Sequence, residues 1–444
     1  VRSYHGATRG KVCVGRAETT DSIMSEISAC GSSVRMGPAN RFLRRVKIRN
    51  YRSVGQCVID LGRLTVLIGR NGSGKSNFLD ALRFVVDGLQ TSIDHAIKSR
   101  GGMDAVRRRS TGHPRNFSIE LEFDLPTDDT ATYGFEIGSR TGGGFFVKRE
   151  RLTIVRPSGQ TAARFEMADG QVSASMENMP PASRDRLYLV NAAGLPSFRV
   201  VYDALLAMGF YSLNPALMKG FQSPDAGELL HRDGGNIASV IGRLTADEPG
   251  TMERIKSYLA TIVPGIEDVA RKSLGPSETL EFRQHVVGSE FPWKFYAASM
   301  SDGTLRALGA LVAVMQLANR KEPVRLVGIE EPETALHPAA AGALMDALRE
   351  AACHTQILIT THSADLVDQL NPEEDQLIAV QSVGGATQLG SLDQPSREAI
   401  RDHLYSPGEL LRMDQLEIDP DDLKRQEQLS LFDSSEPDAS EESS

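Results

Sequence analysis

Apolar and polar positions alternate with a period of two along Val46-Lys47-Ile48 and Cys57-Val58-Ile59, which predicts antiparallel strands. Leu64-Thr65-Val66-Leu67-Ile68 is instead almost continuously apolar, the pattern of a strand covered on both faces. A glycine-rich stretch follows. Phe78, Leu79, Leu82, Val85 and Val86 then recur at helical spacing and predict a helix over 77–89. Short runs over 117–123, 135–137, 145–155 and 164–166, separated by Gly and Asp turns, predict an antiparallel lobe appended to that first strand.

The period lengthens over 200–208, 237–244 and 252–262, with breaks at Asn214-Pro215, Gly234-Gly235 and Pro249-Gly250. This reads as a modest helical insertion, without the long heptad runs of an extended coiled coil. Strand and helix then alternate again. A strand is expected near 280–282, a helix over 303–318, a strand over 324–329 and a helix over 338–352. A buried strand over 356–360, strands over 376–381 and 387–392, and a helix near 396–404 complete the pattern. The organisation is thus an N-terminal lobe over 41–198, a helical insertion over 199–275 and a C-terminal lobe over 276–418. Residues 1–40 begin with Val, hold Met36 and show no periodicity, so a disordered leader from an upstream start is expected there. Residues 419–444 are acidic and Ser-rich, and a disordered tail is expected.

Composition adds exclusions rather than an identity. A charged fraction of 24% and an apolar fraction of 40% are ordinary for a globular chain. No apolar run approaches the roughly 20 residues needed to span a bilayer, so no membrane role and a cytoplasmic setting are expected. The four cysteines form no CxxC pair and no Cys/His metal spacing, the pattern of a reduced protein without structural zinc. The net charge of −9 conceals a basic beginning, with Arg41, Arg44, Arg45, Lys47, Arg49 and Arg52 close together and Arg107-Arg108-Arg109 further on. A solvated basic face and a nucleic-acid surface both fit that clustering.

Chemistry concentrates at four places. Gly69-Arg70-Asn71-Gly72-Ser73-Gly74-Lys75-Ser76 fits G-x-x-x-x-G-K-[ST], with an apolar strand before it and a helix after it. Glycines let successive backbone N–H groups curl around phosphates, and the positive end of the following helix favours the anion. Gly69, Asn71, Gly72, Ser73, Gly74, Lys75, Ser76 and Asn77 are the expected ATP contacts, Lys75 bridging the β- and γ-phosphates and Ser76 ligating Mg²⁺. Leu326-Val327-Gly328-Ile329 ends in Glu330 and Glu331, which suits a metal ligand followed by a base for the attacking water. Ser301 and Gly303 open a helix. Capping alone explains that pair, and a second phosphate-binding helix terminus would also use it. The strand over 357–360 leads to His362, a candidate sensor of the γ-phosphate.

Taken in this order, the motifs resemble the ABC-type ATPases, and within them the SMC/RecF-like and OLD-like branch often labelled AAA family ATPase. Ile48-Arg49-Asn50-Tyr51-Arg52-Ser53 resembles that branch's opening strand pair and its arginine, and Met300-Ser301-Asp302-Gly303-Thr304 stands where its signature lies. Ile329-Glu330-Glu331-Pro332-Glu333 with Leu336-His337-Pro338 resembles its Walker B segment, and His362 its switch histidine. The resemblance, over about 42–415, implies an α/β P-loop NTPase of the ABC-ATPase head type, with a mixed sheet, an antiparallel β lobe and a helical insertion. It implies ATP sandwiched by a homodimer, with Ser301 and Gly303 of one subunit on the γ-phosphate held by Lys75 of the other. Arg52 would reach the phosphates or adenine, and Gln222 is a weak candidate for the lid-region glutamine. Hydrolysis coupled to DNA repair, replication support or anti-phage defence is the implied role. The alternative is an ATP-dependent switch that controls a separate nuclease with little turnover. The insertion is too short for the arms of a chromosome-organising protein, and a Toprim domain has no room after His362.

Within the acidic end, Gln428, Leu429, Ser430, Leu431 and Phe432 resemble the extended pentapeptide with which bacterial repair proteins dock on the sliding clamp.

Overall fold

The computed structural model describes residues 41–110, 114–140, 142–316, 324–372 and 374–433. The leader expected over 1–40 lies outside them. The first lobe contributes β1 (Leu43–Tyr51), β2 (Val54–Asp60) and β3 (Leu64–Ile68). After a helix at Lys75–Gln90 come β4 (Asn116–Asp124), β5 (Thr130–Ser139), β6 (Phe145–Val155), β7 (Thr161–Ala168) and β8 (Gln171–Ala174). The middle of the chain adds β9 (Met208–Tyr211), β10 (Ile266–Leu274), β11 (Ser277–Gln284) and β12 (Trp293–Tyr296). The last part adds β13 (Leu326–Glu330), β14 (Gln356–Thr361), β15 (Gln376–Val383) and β16 (Ala386–Gly390).

Among the described residues these strands form one large mixed sheet, in the order β8-β7-β6-β5-β4-β1-β2-β16-β15-β3-β14-β13-β9, and a small sheet β10-β11-β12. The segment β15-β3-β14-β13-β9 is parallel throughout. From β1 through β8 the pairing is antiparallel. The two halves differ in burial as their patterns predict. Strand β4 alternates buried and part-exposed positions, whereas β3 and β14 are buried at every position.

Alternation within the parallel strands divides their side chains between two cores. Leu67, Leu326 and Leu358 pack with Phe78, Leu79, Leu82 and Val85 of the helix Lys75–Gln90. Leu64, Val66, Val327, Ile329, Ile357 and Ile359 pack with the helices Asp302–Met315 and Ala341–Ala352 on the opposite side. The parallel strands are therefore clamped between helices, and only their ends are free to carry chemistry.

Two differences from the sequence reading have clear causes. The segment over 199–275 is not purely helical, because β10 ends it in the small sheet and β9 intervenes and joins the parallel sheet beside β13. Its four residues follow directly on the helix Pro196–Leu206, so the helical periodicity masks them. The segment expected to be disordered from 419 is a helix over Pro420–Asp433. The Asp419 carboxylate accepts the Asp421 N–H, Pro420 stands at the first turn, and Asp421 and Asp422 follow at the positive end. Buried Gln426 fixes this helix to the sheet, donating to the Leu389 carbonyl and accepting from Gln56 through its own carbonyl. The backbone of 428–432 is helical rather than extended, which does not suit the strand-like docking mode expected of that pentapeptide.

Candidate functional site

Register brings the separate motifs to one edge. Thr361 of β14 lies beside Ile68 of β3, and Glu330 of β13 lies beside Thr360 of β14. The residues that follow these strand ends, Gly69, Glu331 and His362, therefore emerge side by side at the carboxyl edge of the parallel sheet. Ligands of open α/β sheets bind at that edge.

The loop between β3 and its helix turns through left-handed backbone at Gly72 (φ 80°) and Gly74 (φ 104°). A side chain at Gly74 would strike Thr387, whose Oγ1 lies 1.9 Å from where a Cβ would sit. Buried Lys75 folds back over the loop and donates to the Gly69 carbonyl at 2.7 Å and the Arg70 carbonyl at 3.0 Å. Burial lowers its pKa, and the nearby Glu331 and Glu333 carboxylates oppose that shift. The Ser73 hydroxyl is buried and has no hydrogen-bond partner among the described residues.

Three carboxylates face this loop. The Ser76 hydroxyl lies near enough to Glu330 to favour its charged form, so the two expected metal ligands are neighbours. Burial raises the Glu330 pKa; Arg83 opposes the shift, while Asp80 and Glu331 add to it. Glu331 has left-handed backbone (φ 43°), an uncommon and strained conformation for this residue type. Its amide is held by the Thr360 carbonyl at 2.9 Å. Its carboxylate meets His362 Nδ1 at 3.1 Å and the Thr334 hydroxyl at 3.4 Å. Glu333 is buried and accepts from the Thr361 hydroxyl, which in turn accepts from the Ser363 N–H at 3.0 Å. Its other oxygen has no partner among the described residues, and burial raises its pKa.

Arg52 lies at the two-residue turn between β1 and β2, with φ 50°. Its Nε pairs with Asp80 at 2.9 Å and its terminal nitrogen approaches Asn77 Oδ1 at 3.5 Å. Asp80 is further ringed by Arg83, Arg100 and the Tyr51 hydroxyl. Burial pushes the Asp80 carboxyl up, but Arg100 and Arg83 outweigh it and hold the net shift downward. Arg52 thus borders the loop while its charge is spent on Asp80.

Ser301 and Gly303 are not brought to this loop within the chain. The Ser301 hydroxyl caps its own helix by accepting the Thr304 N–H at 3.1 Å. A Cβ on Gly303 would lie 2.1 Å from the Ala335 carbonyl, so close packing on the turn after Glu331 demands glycine there. Lys219 braces the same helix start through Asp302 at 2.6 Å. Gln222 is elsewhere: buried, it bridges Glu278 through the backbone and accepts the Ala238 N–H, so it is a structural residue of the insertion. Sequence reading missed Ser53, Thr361 and Thr387 as neighbours of the loop, and it saw Glu333 only as part of a motif. Nothing local marks Thr387, whose hydroxyl reaches the Ser73 carbonyl from 314 positions away along the chain.

Ion pairs engage part of the basic beginning of the chain. Arg44 pairs with Asp124, Arg45 with Asp60, Lys47 with Glu120 and Arg107 with Asp104. No helix among the described residues is long and apolar enough to cross a membrane.

Residues 42–176 match a family model described as an AAA ATPase domain. Residues 234–368 match one described as an AAA domain, putative AbiEii toxin, Type IV TA system. No curated protein matches the chain. Solved structures similar to it include an SMC head bound to the C-terminal winged-helix domain of ScpA, at 15% identity and TM-score 0.49, covering 80% of this chain and 99% of that one. The SMC head domain from Thermotoga maritima gives 14% identity and TM-score 0.41, with 79% and 99% covered. The Smc head with an extended coiled coil from Pyrococcus furiosus, bound to the C-terminal domain of ScpA, gives 13% and 0.48, with 82% and 99% covered. Identities this low carry no information on activity. The two ATPase-domain matches fall on the segments that supply the phosphate loop and the Glu330–His362 edge of one sheet, and over those segments the chain is similar to AAA-type ATPase domains.

Proposed function

We propose that this protein binds ATP with Mg²⁺ at the carboxyl edge of β3, β14 and β13, and hydrolyses it. The observation that carries the reading is the strand register that brings the ends of β3, β13 and β14, and with them the Gly69–Ser76 loop, Glu331 and His362, to one edge. The residues fit the ligand. The buried Ser73 hydroxyl lacks a partner among the described residues, and the Lys75 ammonium rests on loop carbonyls that it can exchange for phosphate oxygens.

No group of three His, Cys, Asp or Glu able to hold a metal occurs among the described residues. That suits Mg²⁺, which is commonly held by one or two protein oxygens together with substrate phosphates and water. Ser76 and Glu330 would hold it, and when bound it would neutralise phosphate charge. Lys75 would add fixed positive charge. Glu331 would take a proton from the attacking water, and His362, oriented by Glu331, would donate to the γ-phosphate.

Ser301 and Gly303 fit this reading as the far wall of a site completed by a second copy, since Ser301 caps its own helix and no hydrogen bond or ion pair among the described residues ties either to the loop. DNA is a separate matter. Ion pairs engage Arg44, Arg45, Lys47 and Arg107 of the basic stretch, and the proposal is confined to ATP and self-association.

One observation favours a second reading, an ATP-controlled switch of low turnover. His362 and Thr334 each contact one Glu331 oxygen, which takes up part of the carboxylate's capacity to accept from a water. Equilibrium binding of ATP with and without Mg²⁺, to wild type and Ser76→Ala, tests the proposal. Saturable binding that tightens with Mg²⁺ only in wild type is expected; no saturable binding in wild type would overturn it. Sedimentation with and without ATP reads the dimer, and steady-state phosphate release separates hydrolysis from the switch.

A further inference from the structure

The hydroxyl of Thr387, on β16, lies against the phosphate loop. Its own amide donates to the Ser53 carbonyl at 2.8 Å, and its side chain is fully buried. Its Oγ1 is 2.9 Å from the Ser73 carbonyl and 2.7 Å from Ser53 Oγ, and Asn77 Nδ2 lies 2.5 Å from Ser53 Oγ.

Proton counting fixes the direction of every bond in this chain. A carbonyl can only accept, so Thr387 gives its single hydroxyl proton to Ser73. Ser53 must then donate to Thr387, and Asn77 donates to Ser53. The relay runs from the helix after the loop, through the β1–β2 turn, to a carbonyl inside the loop. Its effect falls on one peptide unit. The peptide between Ser73 and Gly74 is planar and trans, so its N–H points opposite to its C=O. Thr387 holds the carbonyl outward and thereby turns the Gly74 N–H to the loop's other side. That N–H has no acceptor among the described residues, as expected of a group kept for an anion. Glycine is required at position 74 because Thr387 fills the place of its Cβ.

We propose that Thr387 is a positioning residue of the phosphate loop, fixing the Ser73–Gly74 peptide so that its N–H meets a nucleotide phosphate. This rests on the ATP reading above. Nothing in the 69–76 motif announces it, because it comes from the far end of the fold.

The test compares Thr387→Val, which keeps the shape and removes the hydroxyl, with Thr387→Ser, which keeps the hydroxyl. Affinity for ATP is expected to fall about tenfold in Thr387→Val, the order of one lost hydrogen bond. Thr387→Ser is expected to stay within about twofold of wild type. With ¹⁵N-glycine labelling, the Gly74 amide resonance should shift on ATP addition in wild type and Thr387→Ser, and much less in Thr387→Val. Ser53→Ala, which breaks the relay one step earlier, supplies the same comparison if Thr387→Val does not fold. Normal ATP affinity in folded Thr387→Val, or equal defects in the Val and Ser variants, would overturn the proposal alone. Failure of wild type to bind ATP would overturn the nucleotide reading and this proposal with it.

Discussion

The antiparallel lobe and the carboxyl edge of the parallel strands both bury carboxylates, and they treat them in opposite ways. In the lobe, Glu150 of β6 is fully buried and fully satisfied. It accepts from the Tyr133 hydroxyl at 3.0 Å, from the Leu189 N–H at 2.8 Å and from the Tyr188 N–H, pinning the helix Tyr188–Ala192 to the sheet. At the edge, Glu333 keeps an oxygen without a partner among the described residues, Glu331 is held in left-handed backbone, and Ser73 keeps an idle hydroxyl. A buried carboxyl group whose two oxygens both have partners is a structural device, whereas unmet polar atoms gathered beside strained backbone mark a place kept for something else.

The largest expected effect comes from Lys75→Ala. It should weaken MgATP binding by about a hundredfold or more, since a charged contact to phosphate in a water-poor site is lost. Its unfolding midpoint in urea should hardly move. A large loss of stability with ATP affinity retained would make Lys75 structural and erase the contrast. Glu150→Ala is the mirror experiment. It strands two backbone N–H groups and a tyrosine hydroxyl, so a loss of about 3 kcal/mol in urea unfolding is expected, with ATP affinity per folded molecule unchanged.

A smaller effect sharpens the same point through pH. Burial raises the Glu150 pKa to about 7, although its three hydrogen bonds pull the other way. Its unfolded value lies near 4.3. The folded state therefore retains this proton after the unfolded chain has released it, and the contribution to stability is full below about pH 4 and declines until about pH 7. Unfolding measured across that window should show a downward slope in wild type that is shallower in Glu150→Gln. The smallest effect belongs to the exposed pairs. Lys47→Ala, which removes an ion pair to Glu120, should change stability by less than about 1 kcal/mol.

Much of the edge was legible in the sequence because its signals are local. The Gly69–Ser76 loop announces itself, and the apolar runs ending in Glu330 and Thr361 are strands of the expected kind. What escaped is whatever depends on pairing between distant segments. Thr387 reaches the loop because β15 pairs with β3 and carries β16 with it, and because β16 pairs with β2 at Thr387 opposite Val54. Strand β9 was hidden by the helix before it. The helix Pro420–Asp433 was hidden by an acidic composition, although Asp419-Pro420-Asp421-Asp422 spells a helix start. The ion pairs of Arg44 and Lys47 were hidden for a related reason, since their carboxylate partners lie on a neighbouring strand and no count of charge along the chain can show the pairing.

The central claim is that Glu331 activates water at an ATP site built by these strand ends. Its most direct test measures phosphate release and ATP binding together in wild type and Glu331→Gln. The account predicts measurable turnover in wild type and a fall of about 10²-fold or more in the variant, with ATP still bound. Equal turnover in the two proteins, or loss of ATP binding in a folded Glu331→Gln, would contradict it.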